Sequence, residues 1–192
     1  MPSSLVPIES ITLSDSTTTM VAFENISDEY ETLKIIWQAS GAWSGTGSNW
    51  MFMRVGKGST PSTGNYYMSQ YMRATGTGTP AGSVRAGVDG AFLALSNFSG
   101  AGNNTMSPGV IDIYNWYALG NVLGGQTKLF NGRSMSYSTM DMAATDGRLT
   151  WQGMRNGLSD AWNSLFIYME VSNTNYPFIK HSTFDLYGLK RS

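Results

Sequence analysis

Short runs of alternating apolar and polar residues, separated by clusters of Gly, Ser, Thr, Asn and Pro, recur along the whole 192-residue chain. That pattern confines the fold. Successive side chains of a strand point to opposite faces, so a period of two over about four to eight residues predicts a half-buried strand. It fits Ile8–Leu13, Thr18–Phe23, Thr32–Ser40, Trp50–Val55, Tyr66–Arg73, Val84–Val88, Ala91–Phe98 and Val110–Tyr117. It fits again at Thr127–Phe130, Ser134–Thr139, Arg148–Met154, Leu165–Val171 and Ile179–Tyr187. In the strongest of these, Leu33, Ile35 and Trp37 share one face and Ile36 packs opposite. The acidic stretch Glu24–Glu31 is expected to form one helical turn ahead of it. So many short strands in a single open sheet would leave an apolar face wet. The expectation is therefore all-β: a single-domain antiparallel β-sandwich, jelly-roll-like, over residues 1–192. Ala74–Gly82 is the clearest flexible connection, but the composition is alike on its two sides.

Charge narrows the function. Charged residues make up 13% of the chain, about half the usual share of roughly 25%. The polar surface must come from Ser, Thr, Asn, Gln and Gly, which suits a surface covered by other subunits. A net charge of −1 gives no electrostatic footprint for nucleic acid. The absence of cysteine excludes disulfides, thiol catalysis and cysteine-based zinc sites, and fits assembly in a reducing cytoplasm. The first residues lack a basic and then continuously apolar leader. No apolar run approaches the ~20 residues of a membrane helix, so neither export nor a membrane is expected.

No catalytic, metal or cofactor set assembles. His181 is the only histidine and sits in an alternating run, where a strand surface is the simpler role. Gly56-Lys-Gly-Ser-Thr60 lacks phosphate-loop spacing and reads as a surface hairpin. Asp28, Glu29 and Glu31, or Asp141 with Asp146, lack the periodicity of a calcium loop. Aromatic residues carry more weight. Trp43 and Trp162 fall in Gly/Ser/Asn-rich stretches, and Tyr66 and Tyr67 follow a Gly-Asn turn. Rings in such places anchor protein interfaces or grip sugar rings, so these four are the candidate interface or glycan contacts. Trp37, Trp50, Trp116 and Trp151 lie in strands and are expected in the core.

The chain ends Thr183-Phe-Asp-Leu-Tyr-Gly-Leu-Lys-Arg-Ser192, a closing strand with a Tyr-Gly turn and a basic tip. This ending resembles the Phe-x-Leu-Tyr-Gly motif of small phage virion proteins. So do the opening hairpin Ile11–Ile26 with Tyr30–Ile36, the Gly64-Asn-Tyr-Tyr67 element, and the strands Val110–Tyr117 and Arg148–Trp151. The resemblance implies a non-enzymatic phage structural protein with a jelly-roll-like fold, assembled in the host cytoplasm and carried on the virion. The first expectation is a head decoration or cement protein. It would form a homotrimer, pack against the major capsid protein and bury apolar and aromatic surface between capsid subunits. The alternative is a carbohydrate-binding, receptor-recognition module of a tail fibre or spike, with a host-surface glycan as partner. A polysaccharide-degrading enzyme is a weaker third reading, since no carboxylate pair announces itself.

Overall fold

The computed structural model describes residues 4–42, 48–61, 67–74, 81–88, 90–98, 106–116, 127–136, 141–150, 162–171 and 174–191. Among them there is no helix, and fourteen strands carry the fold. They are β1 (Leu5–Thr12), β2 (Met20–Phe23), β3 (Tyr30–Gly41), β4 (Ser48–Lys57) and β5 (Thr60–Pro61). β6 (Tyr67–Ala74), β7 (Ala81–Val88), β8 (Ala91–Phe98), β9 (Ser107–Tyr114) and β10 (Thr127–Ser136) follow. β11 (Asp141–Thr150), β12 (Ser164–Val171), β13 (Thr174–Tyr176) and β14 (Thr183–Lys190) complete the chain.

Two antiparallel sheets pack face to face, so the chain is an all-β sandwich. In the first, β1, β14, β3 and β9 are neighbours in that order. In the second, the order is β2, β12, β4 and β8. Ranked by position in the chain, these eight strands run 1-8-3-6 and 2-7-4-5. That is the double Greek key of a jelly roll. The remaining strands are insertions and edge pieces. Those inserted after β9 and after β4 find each other, and the first sheet continues as β10-β11-β6-β7. β8 runs close to β10 and β11. At the end of β3, Ser40 and Gly41 pair in parallel with Asn97 and Phe98, tying the first sheet to the second.

The core lies between the sheets and follows from the alternation. Leu33, Ile35 and Trp37 of β3 face Met51, Met53 and Val55 of β4 and Leu165, Ile167 and Met169 of β12, all within one buried cluster. Ile111 and Ile113 of β9 and Phe184 and Leu186 of β14 extend it. Two glycines let the aromatic residues of β3 lie flat against neighbouring strands. A Cβ on Gly109 would overlap the Trp37 indole, and one on Gly188 would overlap the Tyr30 ring. The Trp37 indole N–H is buried and has no hydrogen-bond partner among the described residues.

Four local expectations need correction, and the strand placement of His181 is a fifth. The last strand does not turn at Gly188. It runs on to Lys190, because Gly188 makes room for Tyr30 inside the ladder. No helical turn forms over Glu24–Glu31. Asn25 is left-handed (φ 53), the Ser27 hydroxyl accepts from the Glu29 N–H at 3.2 Å, and Ile26 N–H donates to the Asn163 carbonyl. Such local bonds compete with helix. Thr127–Phe130 and the following Ser134 belong to one continuous strand. Trp162, expected as an exposed contact, is buried in the core with only 7% of its surface exposed. Its neighbour Asn163 explains why: its backbone and side chain bond Gly56, Gly58 and Ile26, so the segment is pinned over the open end of the sandwich. His181 lies in an exposed turn with φ 71, and its N–H donates to the Leu13 carbonyl at 2.8 Å.

Because β14 is paired on both edges and buries Phe184 and Leu186 completely, deleting Thr183–Ser192 should leave an insoluble or unfolded chain. Each such side chain stabilises by roughly 1.5–3 kcal/mol in a domain worth only about 5–15 kcal/mol. A soluble truncation with a cooperative melt would contradict that placement. Gly188→Ala should cost about 1–3 kcal/mol through overpacking. Combined with Tyr30→Ala it should cost clearly less than the sum of the two single changes, as a double-mutant cycle in urea would measure.

The same corner predicts alkaline behaviour. Burial and the neighbouring Glu29 carboxylate raise the Tyr30 phenol above its ordinary 10.0, and the hydrogen bond from Lys190 to Glu29 raises that lysine above 10.5. Groups raised in the fold stabilise fully below their unfolded values and lose that stability as pH rises through the folded ones. Melting temperature should therefore fall above about pH 10. Tyr30→Phe, which keeps the ring on Gly188 but removes the hydroxyl's hydrogen bond to Glu29, should flatten that fall and cost about 1 kcal/mol at neutral pH.

Candidate functional site

One face of the first sheet turns away from the core, and the pairing register makes its layout readable. Residues 32, 34, 36 and 38 of β3 alternate against the buried Leu33, Ile35 and Trp37, and so point outward. Across β14, β9 and β10 the register carries the same parity. One cross-strand row is Leu5, Leu189, Thr32, Tyr114 and Leu129. The next is Pro7, Tyr187, Lys34, Asp112 and Asn131, and a third holds Ser10, Asp185, Ile36, Val110 and Arg133.

The first row is apolar. Leu5, Tyr114 and Leu129 are 43%, 41% and 45% exposed, and Ile36 in the third row is 39% exposed. These four are the large exposed hydrophobic residues among the described ones, and all lie on this one face. Scattered single apolar residues are ordinary on a surface, but a shared face is not. At strand spacings of about 4.8 Å, the row crosses five strands and spans roughly 20 Å.

The other two rows carry the ordered polar groups of the face. The Lys34 ammonium meets Asp112 Oδ1 at 2.8 Å, with both side chains partly shielded. The Ser10 hydroxyl donates to the Asp185 carboxylate. Where β9 meets β10, a shallow hollow of about 190 Å³ opens between Val110, Asp112, Asn131, Gly132 and Arg133.

Of the residues expected to make contacts, Trp43 and Tyr66 lie outside the described residues. Tyr67 is in β6, paired with Leu149 and Val88, where the backbone alone is described. Trp162 is in the core. Among the strand tryptophans, Trp37 and Trp116 are buried as expected, Trp50 is partly buried against Phe52 and Tyr168, and Trp151 lies outside the described residues. The acidic residues near 28–31 do not converge: Glu29 pairs with Lys190 at 3.0 Å, and no group of three metal-ligating side chains forms among the described residues. The Gly56–Thr60 segment is the expected hairpin, joining β4 to β5. Alternation in Val110-Ile-Asp-Ile-Tyr114 already separates Val110, Asp112 and Tyr114 from the core-facing isoleucines. Only the register shows that Leu5 and Leu129 share their face.

Compared with known proteins, the sequence matches no family model, no curated protein and no solved structure.

Proposed function

We propose that this chain is a non-enzymatic structural protein of a phage virion, a jelly-roll module that docks on the particle through the outer face of its first sheet. The observation that supports it best is the largely apolar row Leu5, Leu189, Thr32, Tyr114 and Leu129, with Ile36 exposed on the same face. Burying such a row against a neighbour is favourable by roughly 25 cal/mol per Å² of apolar surface. Tyr114, between Thr32 and Leu129, combines large area with few rotatable bonds, the usual property of an interface anchor. Low overall charge agrees with this role, because little ionic hydration has to be stripped when the surface is covered. The resemblance of the strand motifs and of the C-terminal sequence to phage virion proteins points the same way. The major capsid protein is the first partner of this reading, copies of the chain itself, as a homotrimer, the second. Decoration of the head is the role, with apolar and aromatic surface buried across capsid-subunit boundaries.

Leu129→Asp and Leu5→Asp place a charge on exposed positions and should leave the isolated protein folded with an unchanged melt. Each should lower incorporation into particles by roughly thirtyfold, the effect of losing an anchor worth about 2 kcal/mol. Quantifying the protein in purified virions of complemented mutants checks this. Normal incorporation of both variants would move the docking surface elsewhere.

A further inference from the structure

The hollow beside the apolar row has a different chemistry. Val110 and Gly132 line it together with three polar residues of different kinds, Asp112, Asn131 and Arg133. Asp112 places Oδ1 on the Lys34 ammonium, which fixes the direction of its side chain and leaves its second oxygen to accept. Asn131 offers an amide that both donates and accepts. Arg133 offers a guanidinium fork, exposed and without a partner among the described residues. Tyr114 lies two residues from Asp112 on the same outward face, roughly 7 Å along the strand, and presents an exposed ring.

We propose that this hollow binds one carboxylate-bearing sugar residue, such as a hexuronic acid unit of a surface polysaccharide. An open hollow of about 190 Å³ is on the scale of a single sugar ring. A polyol needs acceptors and donors side by side, which Asp112 and Asn131 supply. A simple anion would face the Asp112 carboxylate unprotected, whereas a sugar acid meets it with hydroxyl donors and turns its own carboxylate to Arg133. The apolar C–H face of the ring has Val110 and Tyr114 to lie against. The site adjoins the docking row and shares Tyr114 with it, but its polar contacts Asp112, Asn131 and Arg133 are its own, so this proposal goes beyond the function proposed above and is tested apart from it.

Titrating the isolated protein with methyl glucuronide, methyl glucoside and acetate, followed residue by residue in amide NMR spectra, tests it. Methyl glucuronide should shift signals of residues 110–112 and 131–133 with a dissociation constant on the order of 1 mM, as expected for so small a ligand. Methyl glucoside should bind about tenfold more weakly at the same residues, and acetate should produce no comparable shifts. Arg133→Gln, at an exposed position, should bring the glucuronide down to the affinity of the glucoside, and Asn131→Ala should weaken both sugars. Leu129→Asp should leave glucuronide binding within about twofold, which separates failure here from failure of the docking surface. No localised shifts at about 20 mM glucuronide, equal binding of acetate, or an Arg133→Gln protein that binds glucuronide as before would each overturn the proposal.

Discussion

Everything in this fold hangs on β3 lying between two strands from far along the chain, one from its middle and one from its C-terminal end. β14 pairs with one edge of β3 from Thr183 to Lys190, and β9 pairs with the other from Ser107 to Tyr114. Both partners yield space to its aromatic residues, β9 at Gly109 under Trp37 and β14 at Gly188 under Tyr30. With those rings laid flat, the strands close to hydrogen-bonding distance and the buried face of β3 meets the second sheet squarely. Losing one glycine would force a large ring upward into a core packed at crystal-like density. The last two residues of β3 then pair with β8, so the same strand that centres the first sheet also ties it to the second.

The outward face is a consequence of that register. Leu5 and Leu129 are far apart in sequence, and they share a row because β1, β14, β3, β9 and β10 are locked side by side. The β10–β11 hairpin has a second effect. It is inserted after the sixth jelly-roll strand and pairs with β9, which would otherwise end that sheet. An open edge of that kind invites uncontrolled pairing with other chains. Covering it creates a seam between jelly roll and insertion, and the hollow with Asp112, Asn131 and Arg133 lies on that seam.

How much of this is visible in the sequence depends on whether local pattern or distant pairing decides the outcome. β3 is legible because Leu33, Ile35, Trp37 and Ala39 alternate without interruption, and the predicted burial of that face is what the sandwich shows. β8 is legible to the residue. β10 is not, since Asn131-Gly132-Arg133 reads as a break in any local scale. In the fold, Asn131 pairs with Asp112 and Asp146, and Gly132 with Ile111 and Thr145. Ladders on both edges override poor propensity. Trp162 misleads for a related reason. Polar neighbours suggest a surface loop, yet Asn163 spends its polarity on Gly58, Gly56 and Ile26 and leaves the indole to the core. Gly188 likewise looks like a turn until the ring it accommodates is known.

The second sheet explains why binding should concentrate on the first. Its outer face is already occupied by aromatic packing: Phe52 and Tyr168 stack with centroids 5.6 Å apart, and Arg54 lies 4.3 Å over the Tyr168 ring. Phe52 and Tyr168 retain 3% and 1% exposure, with Met20 and Trp50 packed against them, and Gly90 sits directly on the Tyr168 hydroxyl. β12 is consequently buried on both sides from Ser164 to Met169. A strand so enclosed has no face to offer a partner, and its continuous apolar run Leu165–Met169 states that in the sequence itself. The first sheet differs because its outward residues never became apolar throughout: Thr32, Lys34, Asp112, Asn131 and Asp185 interrupt the large side chains. A face that mixes ordered polar groups with a largely apolar row tolerates water and still gains when it is covered.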